Sequence, residues 1–347
     1  MEHIAIDLGG RESQICVRAS DGTVLAEERW PTGSLKKYLV RRPKSRVVVE
    51  SCAEAFSVAE AAEECGHEVN VVPATLVRAL GVGARGLKTD VRDVRNLSEV
   101  SCRMARLPAV HIPAKASRER KSLCSLRENL VEVRTKLANG VRGWLRSEGL
   151  GSPRVGQPER LWLRVQEHLK QRDRVMPGYV ERNLKAINFL TEQIEEADRE
   201  LGATAKADPT CRRLMTVPGV GPVTAVRFAG AVDQVERFPN SHALESYVGL
   251  VPGENSSSER KRITGLTKAG ARKLRWTLIQ AAWSARRCRR NDPMVAWALQ
   301  VEARRGKFVA TVALARKMTG ILYAIWRDGS TYHANRGSGP VCEPSPP

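Results

Sequence analysis

Ile4-Ala5-Ile6-Asp7 and Arg46-Val47-Val48-Val49-Glu50 are two short apolar runs, and each ends on a carboxylate. Runs of this length, rich in β-branched residues and bounded by turn residues, read as buried strands. Working outward, Ile15-Cys16-Val17 and Thr23-Val24-Leu25-Ala26 read as two more strands, and residues 53–65 as a helix. Val69-Asn70-Val71-Val72 reads as a fifth strand, closed by Pro73. Strands alternating with helical patterns define an α/β domain, expected over residues 1–105.

Three strands on short turns, followed by strand, helix and strand, is the order of a ribonuclease-H-like sheet. The opening Asp7-Leu8-Gly9-Gly10 also suits the sugar-kinase and actin-like fold, where such a turn approaches phosphates. That rival needs a second glycine-rich phosphate turn in a β context, which the later chain does not offer.

Beyond residue 105 the pattern turns helical and highly charged. Residues 118–146 and 179–201 show apolar positions every three or four residues, and residues 149–158 form a Gly- and Pro-rich loop between them. Residues 106–204 are therefore expected as a helical linker, and 205–330 as a second, mainly helical domain closing in the amphipathic stretch 308–326. Residues 331–347 have the composition of a disordered tail.

The chain has 347 residues, with 57 Lys and Arg against 38 Asp and Glu and a formal net charge of +19. That balance points to a polyanionic partner, nucleic acid before membrane, because each neutralised phosphate releases condensed counterions. No uninterrupted apolar stretch reads as a spanning helix, and the start lacks a cationic signal region, so a cytoplasmic protein is expected. The eight cysteines show no Cys-x-x-Cys pair. They read as reduced, mostly buried thiols.

Asp7 and Glu50 each end a strand, and Asp90 and Asp93, three apart in a helical segment, share a face. Four carboxylates from three elements suit a site for two Mg²⁺ (or Mn²⁺) ions, which prefer hard oxygen ligands and flank both reacting oxygens of a phosphodiester. Singly, each has a duller explanation as a turn, surface or helix-start residue. Val217-Pro218-Gly219-Val220-Gly221-Pro222 has the form of a helix-hairpin-helix turn whose glycines, Gly219 and Gly221, let backbone N–H groups approach a phosphate. Ser256-Ser257-Ser258 then precedes Arg260, Lys261, Arg262, Lys268, Arg272, Lys273 and Arg275. A serine beside so many cations suits a hydroxyl nucleophile facing a scissile phosphate. Arg286-Arg287-Cys288-Arg289-Arg290 adds further charge.

Together these segments resemble the serine-dependent DEDD transposases of bacterial insertion sequences and the Piv-like DNA invertases. The resemblance rests on Ile6-Asp7, Val49-Glu50, Lys88-Thr89-Asp90 with Asp93 and Leu97, Pro218-Gly219-Val220-Gly221, Gly249-Leu250-Val251-Pro252, the serines, and Leu266-Thr267-Lys268-Ala269-Gly270 with Leu274-Arg275. It implies a RuvC-like N-terminal domain with Asp7, Glu50, Asp90 and Asp93 as metal ligands and a C-terminal transposase domain. It also implies a phosphoserine intermediate on Ser257, with Ser256 and Ser258 as alternatives. Lys88 and the downstream cations would contact nucleic acid. The implied partners are DNA, a structured guide RNA from the element, and further copies of the chain in a homodimer or homotetramer. The chain departs from the family pattern at Ser258, where glycine is usual, and at Ala271, where asparagine is usual. Two other functions share these residues: a RuvC-like junction nuclease using metal-activated water, and a non-catalytic nucleic-acid-binding protein.

Overall fold

The apolar runs are strands. β1 (Glu2–Asp7), β2 (Glu12–Arg18), β3 (Val24–Pro31), β4 (Ser45–Glu50) and β5 (Glu68–Val72) form one sheet in the order β3-β2-β1-β4-β5. The first three are antiparallel neighbours, while β4 runs parallel to β1 and β5 parallel to β4. This mixed sheet is the ribonuclease-H-like arrangement expected from the strand order. The computed structural model describes residues 1–75, 90–151, 160–254 and 263–334.

Strand alternation separates two faces. Ile4, Ile6, Ile15, Val17, Val47 and Val49 pack under α1 (Leu35–Leu39) and α2 (Ala55–Glu64). Ala5, Cys16, Val48 and Val72 face the other way, against Val94 and Leu97 of α3 (Asp90–Arg103). Gly9 closes the first hairpin so tightly that a Cβ there would lie 2.3 Å from the Glu12 carbonyl oxygen. Thr32 donates to the Gly9 carbonyl at 2.6 Å, tying that turn to the end of β3. A tight turn is thus sufficient reason for this glycine, without a phosphate beside it.

The chain divides into two units, Met1–Pro113 and Ala114–Pro347. The first extends past residue 105 because Leu107, Val110 and Ile112 pack on the sheet's two cores. Residues 106–204, expected as one linker, are therefore split between the units.

The second unit is mainly helical. It comprises α4 (Lys115–Ser147), α5 (Leu161–Lys170), α6 (Gly178–Ala207), α7 (Pro209–Leu214), α8 (Pro222–Val232) and α9 (Ser241–Val248). A two-stranded hairpin follows, β6 (Pro252–Glu254) with β7 (Ile263–Leu266), and then α10 (Arg272–Cys288), α11 (Pro293–Arg305) and α12 (Lys307–Asp328). α4 and α6 lie antiparallel, joined by Arg127 to Asp198 at 2.9 Å and by Arg134 to Thr191 at 3.3 Å. Cys124 of α4 and Leu201 of α6 enter the same core as Phe228, Leu278 and Met318.

α12 corrects one expectation, since by length and composition it could cross a membrane. Half of its apolar window is packed inside the unit, with Leu314, Met318 and Leu322 in the core, as in a central helix of a globular domain. The cysteines depart in part from the expected burial. Cys16, Cys124 and Cys211 are buried, but Cys52 and Cys288 are exposed, and none of the seven described is in a disulfide. Of the expected tail, Tyr332 is tethered, its N–H donating to Thr216 and its hydroxyl to Asp292, both at 2.8 Å. Residues 335–347 lie outside the described residues.

Candidate active site

The sheet register brings two of the carboxylates together. Ile6 pairs with Val49 across the parallel β1–β4 ladder, so Asp7 and Glu50 follow side by side at the ends of adjacent strands. By alternation both belong to the face of Ala5 and Val48, the face covered by α3.

The same face anchors α3 at its other end. His3 Nδ1 and Ser101 Oγ share a hydrogen bond of 2.8 Å. Arg46 donates to the carbonyls of Met104 and Ala105 at 3.1 and 3.2 Å, where a cation suits a helix C-terminus. Arg18 Nε donates to Ser98 Oγ at 3.1 Å. The helix therefore runs antiparallel to β1. Four strand steps from His3 to Asp7 span ~13 Å, and eight helix steps from Ser101 back to Asp93 span ~12 Å. Asp93 consequently lies level with Asp7, and Asp90 about 4.5 Å further along the axis.

Asp93 is 9 % exposed, and among the described residues its Oδ1 has no hydrogen-bond partner. Asp7 and Glu50 are half-buried and Asp90 is exposed. A buried carboxylate oxygen without a donor is costly and calls for a cation. Among the described residues no three His, Cys, Asp or Glu side chains converge on one metal position. Magnesium commonly takes one or two protein carboxylates and fills its remaining positions with water and phosphate oxygens. The arrangement fits that use, with carboxylates presented from two strands and a helix at one level.

Gln14 escaped the sequence reading. It pairs with Asp7 across the β1–β2 ladder, is buried, and accepts from Arg29 Nε at 3.1 Å. No motif marks it; only the register reveals its place.

In the second unit, several positions expected to contact nucleic acid have structural work. Gly219, with φ +83°, sits where a Cβ would lie 2.2 Å from the Ala281 carbonyl oxygen, so it seats the turn between α7 and α8 on α10. Gly221 has open space around its Cα. Arg275 Nη1 donates to the carbonyls of Val248 and Ala269 at 2.8 and 3.0 Å, closing the end of α9. Lys273 lies 3.1 Å from Glu128, which also holds the buried Arg227 at 3.2 Å. Arg286, read from sequence as added surface charge, is buried against Glu302 and donates to Thr311 at 2.8 Å. Lys268 and Arg272 are exposed.

Gly249 (φ +75°) and Gly270 (φ +74°) interlock, since a Cβ on either would meet backbone of the other's segment, at Ala269 and Tyr247. Together with Arg275 they close the root of the β6–β7 hairpin. Lys88, Ser256, Ser257, Ser258, Arg260, Lys261 and Arg262 lie outside the described residues. A groove of about 610 Å³ beside Trp162, Lys170 and Met176 contains none of the residues singled out above.

A family model described as a transposase of the DEDD type matches residues 4–148, which include the sheet and α3. The chain is a DEDD transposase. A second model, described as the transposase IS116/IS110/IS902 family, matches residues 211–295, and the two matches together cover more than half of the sequence. The chain belongs to this family of insertion-sequence transposases. It is 28 % identical over 339 residues to the transposase for insertion sequence element IS1328 of Yersinia enterocolitica, covering 95 % of this chain and 98 % of that one. It is 27 % identical to a probable family 20 transposase of Pseudomonas aeruginosa, over 94 % and 96 % of the two chains. The transposase for IS1111A of Coxiella burnetii is also 27 % identical, over 95 % and 90 %.

Proposed function

We propose that this transposase cuts and rejoins DNA strands, with Asp7, Glu50, Asp90 and Asp93 holding Mg²⁺ or Mn²⁺ and Ser257 acting as the nucleophile. The observation that supports it most directly is the buried Oδ1 of Asp93, which has no hydrogen-bond partner among the described residues, on the helix covering the sheet face to which Asp7 and Glu50 belong. Bound there, the metal supplies charge to stabilise the oxygens of the scissile phosphate.

The chain's own residues divide the remaining work. Asp7 and Glu50 are fixed by the β1–β4 register, and Asp93 by the anchoring of α3 through Ser98 and Ser101. The serine oxygen forms a bond to phosphorus as the bond from phosphorus to the departing sugar oxygen breaks. The serine proton is released and the departing oxygen takes one up. Attack on that phosphoserine by a second strand's hydroxyl reverses the exchange and rejoins DNA. Ser256 and Ser258 are the alternative nucleophiles. The exposed Lys268 and Arg272, with Lys88, Arg260, Lys261 and Arg262, steer the polyanion. Gly221 borders it through backbone. A structured RNA from the element selects the target, and the chain acts in the cytoplasm as a homodimer or homotetramer.

The test mixes protein, Mn²⁺ and element-end DNA and resolves the products on a denaturing gel. A covalent protein–DNA adduct is expected, abolished by Ser257→Ala, while Asp93→Asn removes both cleavage and adduct. Cleavage that persists in Asp93→Asn overturns the metal assignment. Cleavage without an adduct, unchanged by replacing all three serines, makes the protein a water-using nuclease instead.

A further inference from the structure

α10 is Arg272-Lys-Leu-Arg-Trp-Thr-Leu-Ile-Gln-Ala-Ala-Trp-Ser-Ala-Arg-Arg-Cys288, with five cations and no acidic residue in 17 positions. Its buried side is built on Leu274, Thr277, Leu278, Ala281, Ala282 and Ala285. At 100° per residue, Arg272, Lys273, Trp276, Gln280, Trp283 and Arg287 fall in a sector roughly 100° wide on the opposite side. Trp276 is 54 % exposed at its centre. An indole left in water on a cationic stripe is a poor use of a large apolar ring unless something covers it.

The stripe continues onto the start of α12. Trp283 meets Phe308 edge to face, with centroids 6.1 Å apart, and Phe308 is 78 % exposed. Lys307 Nζ lies 5.3 Å from the Trp283 ring centroid. Exposed aromatic faces interleaved with Lys and Arg are what a single-stranded nucleic acid recognises, because its bases offer free π-faces while its phosphates need cations. In a duplex those faces are already stacked. A second copy of the chain meeting this stripe through a two-fold contact would set cations against cations.

We infer that the exposed stripe of α10, centred on Trp276 and extended by Phe308, is a stacking platform for unpaired bases of a single-stranded nucleic acid. This inference rests on the nucleic-acid reading above and adds that the bound strand is unpaired where it crosses α10. Trp276 and Trp283 are seven residues apart, ~10.5 Å along the axis. Trp283 is half-buried with Arg286 and Lys307 packed on its ring, so the more open face is that of Trp276.

The experiment measures fluorescence anisotropy of a labelled 20-nucleotide oligothymidylate and of a mixed-sequence duplex of 20 base pairs, each titrated with full-length protein at one salt concentration (probe lengths of about two helical turns). Trp276→Ala is expected to weaken oligothymidylate binding about 10-fold or more and duplex binding less than about twofold. Trp276→Leu keeps apolar area but no ring and should lose as much, whereas Trp276→Phe should stay near wild type. Arg272→Ala should weaken both probes alike. Unchanged oligothymidylate affinity in Trp276→Ala and Trp276→Leu overturns the inference, as does equal loss on both probes. A shift in sedimentation mass, with binding intact, would make the stripe a subunit contact and overturn it too. Strand cleavage by these variants separates the readings: intact cleavage with unchanged binding sinks the platform alone. Wild-type protein that binds neither probe sinks both.

Discussion

Gly219 and Gly221 sit two residues apart and are glycine for different reasons. At Gly219 the left-handed backbone and the Ala281 carbonyl leave no room for a methyl group. Gly219→Ala should therefore cost about 3 kcal/mol, from the strained φ and the overpacking together. Gly221→Ala meets nothing within 4 Å, and should cost only about 1 kcal/mol, because Gly221 is the N-cap of α8, where alanine is disfavoured. Urea midpoints of the two variants check this; equal midpoints would mean that the contact with α10 is not what holds the turn. Asp93 gives a different expectation. Asp93→Asn keeps the size of the side chain, so without metal it should melt close to wild type. Added Mn²⁺ should raise wild type and leave the variant unmoved. A wild type indifferent to Mn²⁺ would argue that the carboxylate is structural.

Among the elements, α3 decides the geometry of the carboxylates, and its far end is sensitive to pH. His3 is buried beside Ser101, and burial, then the Arg46 charge, hold its pKa below the ordinary 6.5. The unfolded chain therefore binds a proton more readily than the folded one, and the stability gained at neutral pH is lost as pH falls below about 6.5. Wild type should lose more melting temperature between about pH 7 and pH 5 than His3→Gln, which keeps a hydrogen-bonding group that does not titrate; parallel losses would remove His3 from the account. Much at this scale was legible beforehand. The β-branched runs at 4–7 and 46–50 marked strands, and their carboxylate ends marked one edge. α1, Leu35–Leu39, was missed because five residues give too little periodicity. Arg275 and Arg286 were read as free charge because sequence shows a guanidinium but not the carbonyls of Val248 and Ala269, or the hydroxyl of Thr311, that occupy it. Gln14 was invisible for a related reason: its significance is a partner across a ladder, which no local pattern encodes.

For the whole molecule, a net charge of +19 is not neutralised by the ion pairs inside it, and it should govern binding to any nucleic acid. If about 6–10 phosphates are contacted, raising salt from about 50 to about 200 mM should weaken DNA affinity by roughly 10³–10⁵. Anisotropy titrations across that range give the slope, and a flat response would remove charge as the source of affinity. The interlocked Gly249 and Gly270, secured by Arg275, bear on how this protein could be re-engineered. They set the spacing of the hairpin's two arms from below, independently of whatever joins the arms above. Closing a longer connection costs only about 0.6 kcal/mol per doubling of its length. Lengthening the chain between β6 and β7 should therefore cost the helical unit little stability, because the two arms are held at their root.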